Sequence, residues 1–201
     1  MRCYIVRHAD KEWGGYYNPR LRHQDEPISQ KGHEGAQKLV DFFAQRPVST
    51  IYVSGYQRTL QTAEYVAQQL QLIPVIDERL NEMDNGLIEG LTDEQIQITY
   101  PDVWQAFRAR SADFRFPGGE TGAEAQARIM GFLQDKRHQQ AEDDILVFSH
   151  DGLIRTLMCA IFQLPVYARW NFQIDFCGIT EIAAQPGPFA WKLIRFNHTV
   201  D

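Results

Sequence analysis

Cysteine is scarce in this chain, and there is no excess of positive charge. The three cysteines, Cys3, Cys159 and Cys177, stand far apart, lack metal-ligand spacing and sit in apolar segments. That pattern argues against a disulfide framework or a cysteine metal site and leaves buried thiols. Lysine and arginine number 20 against 26 aspartates and glutamates, a net charge of −6. The broad basic surface needed by a binder of nucleic acid or anionic membrane is therefore missing, and any anion site must be a local pocket. No apolar run reaches the length of a membrane span. The first residues enter a strand pattern without the charged and apolar regions of a secretion signal, so a cytoplasmic location is expected. Internal repeats, low-complexity tracts and interdomain linkers are also lacking. With 201 residues, 44% hydrophobic and 23% charged, a single domain with a sizeable core is expected over residues 1–201. Oligomeric state has no signature here.

What the chain does have is short apolar runs that end in chemistry. Tyr4, Ile5 and Val6 read as a buried strand and run into Arg7 and His8. The segment from Asp10 to Ile28 has no amphipathic period, and a loop of that length at a strand end suggests a binding site. Ser29 reads as the N-cap of a helix carrying Leu39, Val40, Phe42 and Phe43 and ending by Pro47. Thr50 to Val53 is a second strand, which turns through Ser54 into a helix with Arg58 in its first turn and an apolar face of Leu60, Ala63, Val66, Ala67 and Leu70. Pro74 to Ile76 suggests a third strand. Helical patterning interrupted by Pro101 and by Phe116 to Thr121 marks a helical insertion over about residues 81–140, with a long helix from Thr121 burying Ile129, Phe132 and Leu133. Ile145 to Phe148 is the clearest buried strand and ends in Ser149-His150-Asp151-Gly152, followed by a helix from Leu153. Runs around Gln173–Ile182 and Phe189–Phe196, separated by Gln185-Pro186-Gly187-Pro188, give a hairpin signal.

Alternating strands and helices predict an α/β fold: a three-layer sandwich with a mainly parallel central sheet, helices on both faces and the helical insertion over the active site. Parallel strands place Arg7, His8, Arg58 and His150 on one side, at the carboxyl edge where such folds bind ligands. Two arginines and two histidines near helix N-termini make a small cationic pocket suited to a phosphoryl group. Guanidinium forks match phosphate oxygens, and a neutral imidazole can attack phosphorus.

Taken together, Val6-Arg7-His8-Ala9, Asp25 to Ser29 with Gly32, Ser54 to Arg58 with Gln61-Thr62-Ala63, Leu80 to Glu82 with Gly86, Glu89 and Gly90, Pro117 to Glu120, and Ser149 to Gly152 with Ile154 and Arg155 resemble the histidine phosphatase superfamily, in its phosphoglycerate-mutase-like branch. The resemblance implies that His8 is phosphorylated, that Arg7, Arg58 and His150 bind the phosphoryl oxygens and that Glu82 is the general acid. It implies no metal and no cofactor. Three departures stand out. Ala9 and Asp151 occupy positions where relatives usually carry Gly, and Gly or Ala, respectively; Asp151 is expected to cap a helix starting at Gly152 and to turn away from phosphate. Gly14 follows Trp13 where an Asn is usual, so an oxygen ligand is either missing or supplied by Asn18. In the same loop Trp13, Tyr16 and Tyr17 with Arg20 and Arg22 suit either leaving-group recognition or pinning the loop, and His23 is expected on the pocket rim. The expected activity is hydrolysis of a small phosphomonoester. A phosphoglycerate-type mutase and a catalytically weak phospho-ligand or protein-binding module are the alternatives, and the physiological substrate stays open.

Overall fold

In the longest strands alternate side chains face opposite ways, and this period of two divides the core into halves. The computed structural model describes residues 1–140, 142–186 and 191–200. Its strands are β1 (Arg2–Arg7), β2 (Tyr17–Asn18), β3 (His23–Gln24), β4 (Val48–Val53), β5 (Val75–Ile76), β6 (Asp144–Ser149), β7 (Ile179–Ala184) and β8 (Trp191–His198). The helices are α1 (Gln30–Phe43), α2 (Gln57–Leu70), α3 (Asp93–Thr99), α4 (Pro101–Ala109), α5 (Gly122–Gln139) and α6 (Asp151–Ile161). Six strands form one sheet in the order β5-β4-β6-β1-β7-β8, and β2 pairs with β3 in a small hairpin. The first four strands of the large sheet run parallel, while β7 and β8 are antiparallel additions.

Cys3, Ile5, Tyr52, Ile145 and Val147 face α5 and α6, meeting Ile129, Phe132, Leu133, Leu157 and Met158. Their neighbours Tyr4, Val6, Ile51, Val53, Leu146 and Phe148 face α1 and α2, meeting Ala36, Leu39, Phe43, Ala63 and Val66. Burial on both faces explains why these strands read as unbroken apolar runs. The expected layers are therefore present, with one rearrangement. The sequence pattern grouped α5 with the helical insertion, but Ile129, Phe132 and Leu133 share a core cluster with the sheet. What stands apart from the sheet is the stretch that carries α3 and α4.

Local chemistry sets several boundaries. Ser29 caps α1 by accepting from the Gly32 N–H, and a Cβ on Gly32 would lie 2.1 Å from the Asp10 carbonyl oxygen. That close approach ties the loop after His8 to α1. Thr121 and Glu124 form a reciprocal capping box at the start of α5. β7 begins at Ile179 and not near Gln173, because Cys177 takes a left-handed conformation (φ 56) that interrupts extended backbone. The two C-terminal strands do pair as an antiparallel hairpin, while Gly187, Pro188 and Phe189 of its connection lie outside the described residues. All three cysteines are buried free thiols. No helix among the described residues is long and apolar enough to cross a membrane.

Candidate active site

Arg7 pairs with Ser149, and Phe148 with both Val6 and Val53, so β1, β6 and β4 end side by side. The residues just beyond them converge. The His8 and His150 rings lie 5.3 Å apart between centroids. His8 is only 4% exposed. Its Nδ1 sits 2.8 Å from the Ala9 carbonyl oxygen, and donating there makes Nε2 the lone-pair nitrogen. Ala9 is held in turn by its N–H donating to Thr62 Oγ1 at 2.9 Å, while the Thr62 hydroxyl donates to the Arg58 carbonyl. Ala9 is not among the residues with positive φ, so an alanine fits this position without strain. Thus the helix that carries Arg58 also orients the backbone beside His8.

His150 is fully buried and its Nε2 is 2.8 Å from Ser54 Oγ. Burial and the nearby Arg58 guanidinium hold both histidines well below the usual imidazole pKa, with Arg7 adding to the effect at each. Both imidazoles are therefore neutral at pH 7. Arg7 stacks 4.0 Å above the Phe176 ring and donates through Nη1 to the Ile174 carbonyl. Arg58 lies 4.2 Å over the Tyr56 ring and 3.6 Å from Glu26 Oε2. Arg7 Nε, Arg58 Nε and His150 Nδ1 are buried without a hydrogen-bond partner among the described residues. Leaving such groups unpaired costs about 1–3 kcal/mol each.

Glu82 reaches the same region from the segment that follows β5. Its Oε1 accepts from the Met83 and Leu153 N–H groups at 2.8 and 3.2 Å, and its Oε2 from Gly152 at 3.3 Å. Glu82 thereby caps α6, whose N-cap residue, His150, makes no side-chain capping bond. A Cβ on Gly152 would come within 2.7 Å of Glu82 Oε1, so a side chain there would displace the carboxylate from these bonds. Arg128 fixes the segment by donating to the carbonyls of Arg79, Asn81 and Glu82 while pairing with Glu120 at 2.7 Å. Asp151 is the first residue of α6 and not its cap. Its carboxylate accepts from Arg155 Nε and Nη2 at 2.9 and 2.8 Å, and its charge counters the lowering that burial imposes on Arg7.

In the loop after β1, the Asn18 amide donates to Asp25 Oδ2 at 2.8 Å, and its Oδ1 accepts from the Arg20 N–H. Asn18 therefore braces the loop. Arg20 and Arg22 are exposed, and neither guanidinium forms an ion pair among the described residues. Trp13 is 82% exposed and packs loosely over Lys11. His23 joins the loop to the far rim: Nδ1 bonds to Glu89, Nε2 lies 3.4 Å from Asp84 Oδ1, and the ring stacks on Tyr56. Both ring nitrogens face carboxylates, and Glu89 raises the His23 pKa. Among the described residues no cluster of three or more His, Cys, Asp or Glu side chains could hold a metal. Sequence reading assigned no role to Ser54, Thr62, Tyr56 or Phe176, although the polar residues that directly follow β4 and flank Arg58 carry a detectable signal.

Known proteins share this arrangement of elements. The family model described as histidine phosphatase superfamily (branch 1) matches residues 3–198. A protein named phosphoserine phosphatase 1 from Hydrogenobacter thermophilus is 29% identical over 178 residues, which cover 87% of this chain and 82% of that protein. A protein named "Probable phosphoglycerate mutase GpmB" from Enterobacter sp. is 28% identical over 94% of this chain and 87% of its own length. Among solved structures, a mycobacterial glucosyl-3-phosphoglycerate phosphatase in complex with VO3 superposes with a TM-score of 0.81 at 23% identity, over 98% of this chain and 99% of that one; this likeness shows a common fold.

Proposed function

The chain belongs to the histidine phosphatase superfamily, and from that premise we propose that it is a phosphomonoester hydrolase that works through a phosphohistidine on His8 and needs no metal. The observation that carries this reading is the convergence of a buried His8, with Nε2 free, on His150 at 5.3 Å between ring centroids and on the Arg58 and Arg7 guanidiniums that, with burial, keep both imidazoles neutral. Arg7, Arg58 and His150 bind the phosphoryl oxygens and stabilise the charge that develops on them. His8 Nε2 attacks phosphorus, the P–O ester bond breaks, and Glu82 gives its proton to the leaving oxygen. Water then attacks the phosphohistidine and loses a proton to Glu82. The N–P bond breaks, phosphate departs and His8 is neutral again.

The relatives carry both phosphatase and mutase names. A mutase must retain the phosphoenzyme and rebind product, and the compact chain favours transfer to water. The test is hydrolysis of p-nitrophenyl phosphate in excess chelator, with inhibition by vanadate. Phosphoglycerate isomerisation faster than phosphate release would establish a mutase instead, and no turnover across a broad panel of phosphomonoesters would leave a phospho-ligand binding module.

A further inference from the structure

Arg7 leaves β1 in the hold of the turn 174–178, which leads into β7. The Arg7 N–H donates to the Gly178 carbonyl at 3.3 Å, and the Arg7 carbonyl accepts from the Cys177 N–H at 3.1 Å. The guanidinium donates through Nη1 to the Ile174 carbonyl at 2.5 Å and lies 4.0 Å from the centre of the Phe176 ring, and that ring stands 5.7 Å from the ring of His8. The direction in which the guanidinium points is therefore set by the shape of this turn.

The shape of the turn is fixed in its own right by a residue 22 positions further on, in β8. Asn197 Oδ1 accepts from the Asp175 N–H at 2.8 Å, and Asn197 Nδ2 donates to Asp175 Oδ2 at 2.8 Å. This reciprocal pair ties down both the backbone and the side chain of Asp175, whose carbonyl accepts from the Gly178 N–H at 2.9 Å to close the turn. A Cβ on Gly178 would stand 2.2 Å from Asn197 Oδ1, so the amide packs directly against the residue that holds the Arg7 backbone.

The backbone delivers Asn197 to this place by a local irregularity. Ile179 pairs with His198 and Glu181 with Arg195, so Phe196 and Asn197 both stand opposite Thr180 in a bulge. Asn197 is left-handed there (φ 48), with its N–H on Thr180 Oγ1 at 3.4 Å. Bulges re-aim side chains, often beside active sites. Left-handed backbone at a residue other than glycine is costly and gathers at functional positions; Cys177, inside the turn, shares it (φ 56).

We propose that Asn197 is a positioning residue for phosphoryl binding: through Asp175 and the turn 174–178 it holds the Arg7 guanidinium at the reach that the phosphoryl oxygens require, without itself touching substrate. The inference rests on the phosphatase reading and adds to it a residue on the antiparallel edge of the sheet.

The experiment is a double-mutant cycle on wild type, Asn197→Gly, Arg7→Gln and the two combined. Glycine removes the amide and keeps the left-handed backbone accessible. The readouts are kcat/KM for p-nitrophenyl phosphate and the Kd for inorganic phosphate by NMR titration. Asn197→Gly alone should lower kcat/KM by about 10- to 100-fold, the scale of a small misplacement of a binding group, and raise the phosphate Kd. Added to Arg7→Gln it should cost less than about twofold further, because its effect passes through Arg7. A merely structural residue would cost the same on both backgrounds, and that result would overturn the proposal, as would values for Asn197→Gly within twofold of wild type. Asp175→Asn combined with Asn197→Asp exchanges the partners and restores the reciprocal pair, so its phosphate Kd should return to within about threefold of wild type. An exchanged protein that melts like wild type but binds phosphate as weakly as Asn197→Gly would overturn the assignment too. A wild type that binds phosphate yet hydrolyses no phosphomonoester would sink the phosphatase reading, and the phosphate titrations would still decide for or against Asn197. A wild type without phosphate affinity would overturn both.

Discussion

Ser54 is the least conspicuous member of the site, and its replacement is the most informative. The hydroxyl is buried, 2.8 Å from His150 Nε2 and 2.8 Å from Thr59 Oγ1, and it accepts from the Tyr56 N–H at 3.2 Å. If an anion among the arginines accepts from His150 Nδ1, then Nε2 must accept from the Ser54 hydroxyl and Thr59 must be the donor in the Ser54–Thr59 contact, an arrangement in which Ser54 selects the tautomer. Ser54→Ala leaves Nε2 buried without a partner and releases the tautomer, so that a lone pair can face the phosphoryl oxygens. Losing one hydrogen bond to a charged acceptor costs about 1.5–3 kcal/mol, which corresponds to about a 10- to 150-fold fall in kcat/KM at 1.36 kcal/mol per factor of ten. The inhibition constant for inorganic phosphate should rise in parallel, because the same bond holds the ground-state anion. Steady-state kinetics on p-nitrophenyl phosphate with phosphate as inhibitor, in a variant whose melting transition remains cooperative, gives both numbers. If kcat/KM and the phosphate constant both stay within twofold of wild type, Ser54 does not set the tautomer and the wiring is wrong.

Three further outcomes follow from the same geometry. Because burial holds the folded-state pKa of His8 and His150 well below 6.5, the unfolded chain binds more protons below that pH. Their contribution to stability is thus present above about 6.5 and is lost as pH falls, with a limiting slope of about 1.4 kcal/mol per pH unit for each histidine. Denaturant unfolding of His8→Gln between pH 6 and 5 should show a shallower slope than wild type, and identical slopes would contradict it. Glu82→Gln should slow alkyl phosphates, whose leaving oxygen needs a proton, at least tenfold more than p-nitrophenyl phosphate; equal losses would remove the acid role. For His23 the sign is opposite. Glu89 raises its folded pKa, so the tie between the β2–β3 hairpin and the 84–89 segment holds at low pH and weakens as pH rises through that value. Hydrogen exchange in residues 17–24, corrected for intrinsic rates, should accelerate between pH 6 and 8.5 in wild type and become pH-independent in Glu89→Gln.

The convergence of Arg7, His8, Arg58 and His150 was legible because each follows an apolar strand, and parallel strands must end on one side. Interactions across long separations left less trace. Glu82 caps a helix that begins about 70 residues later, and nothing in the sequence around it announces that role. An amphipathic pattern shows which face of α5 is buried but not which surface it meets, so its place against the sheet was missed. Asp151 was expected to cap a helix from Gly152; instead it is the first helical residue and pairs with Arg155 one turn on, a four-residue spacing that the cap reading passed over. The strand expected from Gln173 failed at one backbone angle, that of Cys177, next to the Phe176 ring that supports Arg7.

The central claim is a covalent bond between phosphorus and His8 Nε2. Mixing the enzyme with a ³²P-labelled phosphomonoester, quenching in alkali and mapping the labelled peptide by mass spectrometry tests it directly. The account predicts alkali-stable, acid-labile label on the peptide that contains His8, formed no more slowly than turnover and absent from His8→Ala. Undiminished turnover by His8→Ala, or label confined to another residue, would contradict it.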